Sequence, residues 1–497
     1  MLIEDVMGSG KTEAAIYLAA RLMRAWNKTG LYMALPTAAT SNNMHLRMRE
    51  LLKNHGLASP RLMHAQSWLV SRGLDGGEGD AQEWLAPVKR AMLSQYAVGT
   101  VDQAMLSVMP VKSGVLRLLC LSSKVLILDE IHAYDAYMQE ILQRLLQWCS
   151  AMGVPVILLS APLPSALRSR LLEAYSGVRS DAVPQSYPPV GCVRRGEAPI
   201  FFGLPIEPAK ISVSLEMRPI LGKAEDIADL ALSRVTNGGC LGVVLNTVAD
   251  AQEVFDRILK RADKGIDCLL FHARFPLEDR LRIEDACVRW FGKGGERPGR
   301  AILVATQTVE QSIDIDLDEL ITALCPIDLL LQRIGREHRH ALTRRPENMR
   351  SARAIVLAPE SGTLDISSLA VYAPVILRRT LELLRSRDQI ELPAEIRPLV
   401  ERVYDESPAA PDAEHMKEWF GWLTQSMLKK SNAGCAVYDR PRPDRFFALN
   451  RPGMEIVGEG SDDLVLRGVR TRDGDNGLRA AILPAAAVRD PERPTRE

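Results

Sequence analysis

Gly8-Ser9-Gly10-Lys11-Thr12 stands directly after a short apolar opening and before a stretch of helical period. Glycines let backbone N–H groups wrap a phosphate chain, and a helix start adds a favourable dipole. In that arrangement Lys11 reaches the β- and γ-phosphates of ATP and the Thr12 hydroxyl serves Mg²⁺. The eight-residue pattern G-x-x-x-x-G-K-[ST] here begins on Asp5 instead of glycine. Asp129-Glu130-Ile131-His132 ends the apolar run 125–128. Two carboxylates at the C-terminal end of a parallel strand face the phosphate loop of a doubly wound sheet. Asp129 can then hold Mg²⁺ through water, and Glu130 can orient and deprotonate an attacking water. His132 either senses the γ-phosphate side or packs. Gln332-Arg333-Ile334-Gly335-Arg336-Glu337-His338-Arg339 fits Q-x-x-G-R-x-x-R. Phosphoryl transfer needs positive charge delivered to the γ-phosphate. Arg336 and Arg339, three apart, are expected on one helical face as arginine fingers, with Gln332 on the γ-phosphate side. Fingers on a separate lobe would make hydrolysis depend on domain closure. The blander alternatives are a glycine turn, a helix cap and a basic helix end.

These residues need a scaffold. Apolar runs at 31–35, 125–128 and 154–159 read as buried parallel strands, with helical patterns at 13–26, 137–149 and 165–175 between them. This predicts a doubly wound α/β domain over 1–195. A Pro/Arg/Gly-rich stretch at 183–197 reads as a linker. The pattern restarts over 200–360, with strands expected at 241–245, 268–271, 301–305 and 354–357, and helices at 249–262 and 278–290. Residues 361–497 change texture. Helices at 375–384 and 413–429 and short strands at 464–469 and 480–483 predict a smaller α+β domain, with a frayed tail.

The 497 residues carry 62 Lys+Arg against 62 Asp+Glu, so bulk charge alone does not hold this chain to nucleic acid. At 46% hydrophobic and 25% charged residues it is an ordinary globular composition, not a fibre or a long disordered chain. Eight scattered cysteines include no C-x-x-C, no run approaches 18 apolar residues, and the opening shows no signal-peptide core. A cytoplasmic protein with no membrane partner is expected.

Two RecA-like lobes with this motif order resemble a superfamily-two helicase. The finer wording resembles the CRISPR-associated helicases of type I interference systems. It lies in Asp129 through Met138, in Leu35-Pro36-Thr37-Ala38-Ala39-Thr40-Ser41-Asn42, and in Gly99-Thr100-Val101-Asp102-Gln103. It continues in Phe271-His272-Ala273-Arg274-Phe275, in Val309 through Asp316, and in Gln332 through His340. The resemblance spans roughly residues 2–340. It implies an ATP-driven motor moving 3′ to 5′ on single-stranded DNA, recruited by an RNA-guided surveillance complex. It places Pro36, Thr37, Thr40, Asn42, Thr100, Asp102 and Gln103 on the DNA backbone in the first lobe. Arg274, Thr306 and Gln311 line the second lobe, and Asp314 contacts the nucleotide ribose or couples it to DNA. Small polar groups read phosphates without sequence preference. Against this, Thr40 and Asn42 could cap a helix, Arg274 could form a surface ion pair, and Asp316 and Asp318 read as a solvated acidic turn.

Two departures stand out. The family's coupling motif Ser-Ala-Thr is here Ser160-Ala161-Pro162, and proline lacks both hydroxyl and N–H. Weakened coupling of hydrolysis to unwinding is expected. No His-Asp dipeptide occurs, so a metal-dependent HD nuclease is expected on a separate chain or lost. The phosphate loop starts so early that a shortened motor, natural or truncated, is expected. A DExH RNA helicase and an impaired fragment acting only in binding are the alternatives.

Overall fold

The computed structural model describes residues 1–5, 10–64, 91–180, 182–184, 188–203, 210–310, 313–340, 344–360, 364–405, 413–441 and 471. Their strands form two sheets. The first runs β3-β4-β2-β5-β6-β1-β7-β8. Its strands are β1 (Leu2–Glu4), β2 (Gly30–Leu35), β3 (Arg61–Met63), β4 (Tyr96–Thr100), β5 (Lys124–Leu128), β6 (Val156–Ser160), β7 (Pro189–Cys192) and β8 (Ile200–Gly203). Pairing is parallel from β3 to β1 and antiparallel for β1–β7 and β7–β8.

The continuous apolar runs become interior strands because both faces are covered. Leu31, Met33 and Leu35 pack with Ala15, Ala19, Met44 and Met48 of the helices Lys11–Ala25 and Ala38–Asn54. Tyr32 and Ala34 face the other way, against the helices Ala136–Ala151 and Ser165–Ser176. One strand thus feeds two cores through its period of two.

The second sheet runs β11-β12-β10-β13-β14-β9-β15. Its strands are β9 (Ile211–Arg218), β10 (Gly239–Val244), β11 (Asp267–Phe271), β12 (Arg300–Ala305), β13 (Glu319–Ala323), β14 (Arg353–Leu357) and β15 (Gln389–Leu392). All its pairings are parallel except β15 on β9. The helices Ala224–Arg234 and Val248–Arg261 cover one face. Leu277–Phe291, Ile327–Ile334, Pro374–Arg385 and Ile396–Tyr404 cover the other.

One expectation changes. The stretch read as a linker contains β7, which with β8 forms a hairpin on the sheet edge. Pro189 is tolerated there because it opens the strand. The short opening strand β1 lies inside the sheet, between β6 and β7. Past residue 361, β15 and its flanking helices are fastened to the second sheet. The strands expected at 464–469 and 480–483 lie outside the described residues.

The helix Ala413–Ala436 touches both cores. Trp419 packs in the second, and Ala433 packs in the first with Val437 and Tyr438 just beyond it. Arg378 Nη2 meets Glu418 Oε1 at 2.6 Å, and Lys429 Nζ meets Asp135 Oδ2 at 3.1 Å. No helix among the described residues is long and apolar enough to cross a membrane.

Candidate active site

Gly10 has φ +85°, a left-handed turn that favours glycine, and it delivers the chain into the helix at Lys11. Lys11 is buried. Its Nζ donates to Asp5 O at 2.5 Å and to Ser160 O at 3.1 Å. The ammonium therefore sits where β1 and β6 end. Asp5 meets this junction with its main chain, N–H to Ser160 O at 3.1 Å and C=O to Lys11. Any residue type can fill those roles, which accounts for the missing glycine. Thr12 is half-buried one position on. Gly8 and Ser9 lie outside the described residues.

β5 carries Asp129 to the same sheet edge, where its N–H donates to Ala34 O at 2.9 Å. Asp129 Oδ1 accepts the Glu130 N–H at 2.9 Å, and the Tyr134 hydroxyl donates to Asp129 O at 3.1 Å. Glu130 is left-handed at φ +51°, ψ +44°. For a residue with a Cβ that conformation costs on the order of 1–2 kcal/mol. Burial pushes the Asp129 carboxyl up to about 7, Glu130 adds to the rise, and Lys11 opposes it. A buried carboxylate beside a second one suits a cation, which is a donor set that fits Mg²⁺.

His132 Nδ1 accepts the Ala161 N–H at 3.2 Å and lies 3.3 Å from Glu130 Oε2. The Ala161 N–H can only donate, so this bond requires a bare Nδ1 and places the neutral ring's proton on Nε2. Nε2 is buried without a hydrogen-bond partner among the described residues.

The second lobe contributes the end of the helix Ile327–Ile334. Gln332 is buried, and its amide nitrogen and oxygen both lack partners among the described residues. Such groups are rare in folded proteins and mark a place where a ligand can complete the bonding. Arg336 donates to Ile313 O, and to Glu310 O at 2.8 Å. Burial lowers its pKa to about 9, Arg339 lowers it further, and Glu130 of the first lobe works in the opposite direction.

The expected shared helical face is corrected. The helix ends at Ile334, and Arg336 and Arg339 lie beyond it. Glu337 bridges to Leu317, and His338 is left-handed at φ +50°. The turn sends Arg339 to Asp314, Nε to Oδ1 at 2.6 Å, while Arg336 stays buried.

Most residues assigned to DNA have duties within the fold. Pro36 is buried. Thr37 and Thr40 form a reciprocal capping box on the helix Ala38–Asn54. Asn42 does not cap: its Oδ1 meets His64 Nε2 at 2.8 Å. Thr100 and Thr306 are buried, and Thr100 O accepts the Tyr32 hydroxyl at 2.9 Å. Asp102 Oδ1 accepts the Thr471 hydroxyl at 2.6 Å, and Gln103 Oε1 accepts from Arg117 at 2.9 Å. Arg274 is exposed and forms no ion pair among the described residues. Gln311 lies outside them. The solvated acidic turn is also corrected. Asp316 and Asp318 are fully buried and held by Arg345, at 2.7 Å for Asp316 Oδ1, and by Arg297, at 2.8 Å for Asp318 Oδ1.

One central residue escaped the reading. Arg333 is fully buried and pairs with Glu310 at 2.7 Å, Thr322 Oγ1 at 2.8 Å and Ala323 O at 3.2 Å. It anchors the turn that carries Arg336. An arginine on the apolar stripe of Ile327–Ile334 was the available signal, since unpaired charge is not buried.

Comparison with known proteins follows this geometry. Two family models match: DEAD/DEAH box helicase over residues 1–169, and the C-terminal part of the CRISPR-associated nuclease/helicase Cas3 over residues 237–342. The chain is 36% identical over 469 residues to the CRISPR-associated endonuclease/helicase Cas3 of Thermus thermophilus, covering 82% of this chain and 50% of that one. Its identity to the Escherichia coli Cas3 is 35% over 511 residues, covering 97% and 55%. This chain belongs to the Cas3 family. It spans about half the length of the curated Cas3 relatives it matches. The T. fusca Cas3–ADP crystal structure matches with TM-score 0.82 at 34% identity, over 95% of this chain and 55% of that one. A chain of a CRISPR RNA-guided surveillance complex, pre-nicking, matches with TM-score 0.73 at 32% identity, over 88% and 52%. Tandem RecA-like domains are the shared Cas3 architecture, and the two parallel-dominated sheets here are those domains.

Proposed function

We propose that this chain is an ATP-dependent single-stranded-DNA translocase and helicase acting in type I CRISPR interference. One observation carries the reading. Lys11, Asp129 and Glu130 meet at one edge of the first sheet, and the second lobe supplies the buried Gln332, whose two amide atoms both lack partners among the described residues. An ATPase that converts closure into movement needs this division of labour.

In this reading Gly8, Ser9, Gly10, Lys11 and Thr12 bind the phosphates, and Asp314 lies near the ribose or the DNA path. Thr12 and Asp129 would hold Mg²⁺, which supplies charge to the β- and γ-phosphates when bound. Glu130 orients and deprotonates the attacking water. Its carboxylate lies 3.3 Å from His132 Nδ1. Gln332, Arg336 and Arg339 stabilise charge at the γ-phosphate. Gln332 has both amide atoms available for this. Arg339 must first leave Asp314.

Pro36, Thr37, Thr40, Asn42, Thr100, Asp102, Gln103, Arg274, Thr306 and Gln311 line the DNA path. Exposed Arg274 is the readiest of them to reach a phosphate. We take residues 1–195 and 200–360 as the two helicase domains and 361–497 as an accessory domain. The partners are an RNA-guided surveillance complex and a separate HD nuclease, in the cytoplasm. The similarity to a chain of such a complex supports the partner.

The test is ATP hydrolysis by the whole chain with no nucleic acid, single-stranded DNA, or single-stranded RNA, beside Lys11→Ala and Glu130→Gln. DNA-stimulated turnover lost in both variants is expected. Equal rates in all three proteins would overturn the reading, and stimulation by RNA alone would replace DNA as substrate.

A further inference from the structure

The helix Ile396–Tyr404 touches both lobes. Its apolar face, Ile396, Leu399, Val400 and Val403, is buried in the second lobe. The Tyr404 hydroxyl donates to Asp328 Oδ1 at 2.7 Å. Asp328 lies in the first turn of the helix Ile327–Ile334, which carries Gln332 and Arg333. Three residues before Tyr404, Glu401 reaches the first lobe. Its Oε1 accepts the Ser165 N–H at 2.9 Å and the Ser165 hydroxyl.

Ser165 opens the helix Ser165–Ser176, whose N-cap is Pro164, a residue with no side chain able to cap. The first N–H groups of a helix need acceptors, and a negative charge there is favourable. Here the acceptor comes from the other lobe. From Ser165 the bonding runs inward. Arg168 Nη1 donates to Ser165 Oγ at 3.1 Å, and Nη2 donates to Leu163 O at 2.7 Å and Glu4 Oε2 at 2.9 Å. Glu4 Oε2 also accepts the Leu163 N–H at 2.9 Å. Arg168 and Glu4 are fully buried. The loop tied down in this way is the one whose Ser160 O meets Lys11 and whose Ala161 N–H meets His132. A second bond between the lobes, Arg397 Nη1 to Pro184 O at 2.9 Å, runs beside the first.

We propose that Glu401 is a positioning residue for ATP hydrolysis. The helix Ile396–Tyr404 is a strut that ties the second lobe's Gln332 helix to the first lobe's loop 160–165. This rests on the reading of Lys11 and Glu130 as the hydrolytic site. Glu401 touches no reacting atom in this scheme. It transmits the position of one lobe to a loop in the other, through Ser165 and Arg168. The strut offers a route for coupling that does not use the position held by Pro162.

The test compares Glu401→Ala and Glu401→Gln with the wild-type whole chain. The amide keeps a neutral carbonyl acceptor for Ser165. Four quantities are read: kcat and KM for ATP with saturating single-stranded DNA, hydrogen exchange of the peptide spanning 158–166, and melting temperature as a check on folding. For Glu401→Ala, kcat should fall about three- to tenfold with KM held within about twofold, the rate equivalent of one ordinary net hydrogen bond. Exchange in the 158–166 peptide should rise, and Glu401→Gln should recover most of both. Faster exchange with unchanged kcat would reduce the contact to a structural tie and overturn the proposal. Unchanged exchange would overturn it whatever kcat does. If wild type and Lys11→Ala hydrolyse ATP equally, the hydrolytic reading has failed, and the exchange result alone still decides whether Glu401 holds the loop.

Discussion

Glu130 and Lys11 illustrate how residue type and position divide the work at the smallest scale. Lys11 is held by two carbonyls at the end of adjacent strands, close enough to Asp129 to oppose the rise of its carboxyl. Lys11→Ala and Glu130→Gln should each lower ATP turnover by about 100-fold or more, measured as phosphate release with DNA present. A different buried acid controls stability. Burial raises the Glu337 carboxyl well above its usual 4.5, against the opposing pull of the Arg353 N–H. The folded chain keeps a proton that the unfolded chain releases. Its contribution is fully present below about 4.5 and is lost as the pH rises toward the folded pKa. Glu337→Gln keeps the shape without the charge. Its melting temperature should match wild type near pH 4.5 and exceed it at pH 8, by about 2–4 °C for each kcal/mol recovered.

Elements set which of these residues can meet. β6 lies between β1 and β5, so Ser160 stands between the phosphate loop and Asp129. The loop after β6 uses the N–H groups on both sides of Pro162: Ala161 to His132 and Leu163 to Glu4. Proline adds neither N–H nor hydroxyl between them. Pro162→Thr should therefore raise base pairs unwound per ATP while leaving turnover nearly unchanged. An unwinding-to-hydrolysis ratio equal to wild type would remove the assigned defect. In the second lobe, Arg333 and Glu310 hold the end of the helix Ile327–Ile334 as a buried pair. Arg333→Met leaves Glu310 buried without its partner. Chemical denaturation should show a loss of about 3–5 kcal/mol. Adding Glu310→Gln should return part of that loss.

At the scale of the molecule, two helices link the two sheets. The helix Ala413–Ala436 places Trp419 in one core and is followed by Tyr438 in the other. Ile396–Tyr404 makes a second connection through Glu401. Both give the second lobe's movement a route to the first. Balanced charge sets the grip on nucleic acid. With 62 basic and 62 acidic residues, DNA must be held by a local groove. The slope of log affinity against log salt should be shallow, about −2 to −3, as for roughly three to four phosphate contacts on a single strand. A slope near −7 would point to bulk capture instead.

The sequence by itself determined the two-lobed α/β plan, the phosphate loop, the paired carboxylates and the family. Each is written in neighbouring residues or in short-period apolar runs, and local physics reads such signals. It did not reveal that β1 lies inside its sheet, or that 183–197 holds an edge strand. Three- and four-residue strands carry too little periodicity, and their pairing partners lie far away in the chain. Nor did it place Asp316 and Asp318 in a buried arginine network, or send Arg339 to Asp314 instead of beside Arg336. A charge reads as solvated until a distant partner is known. Tertiary structure decided these points, because burial of an ion and capping of a helix depend on groups brought from elsewhere. Glu401 and Ser165, 236 positions apart, show that dependence most plainly.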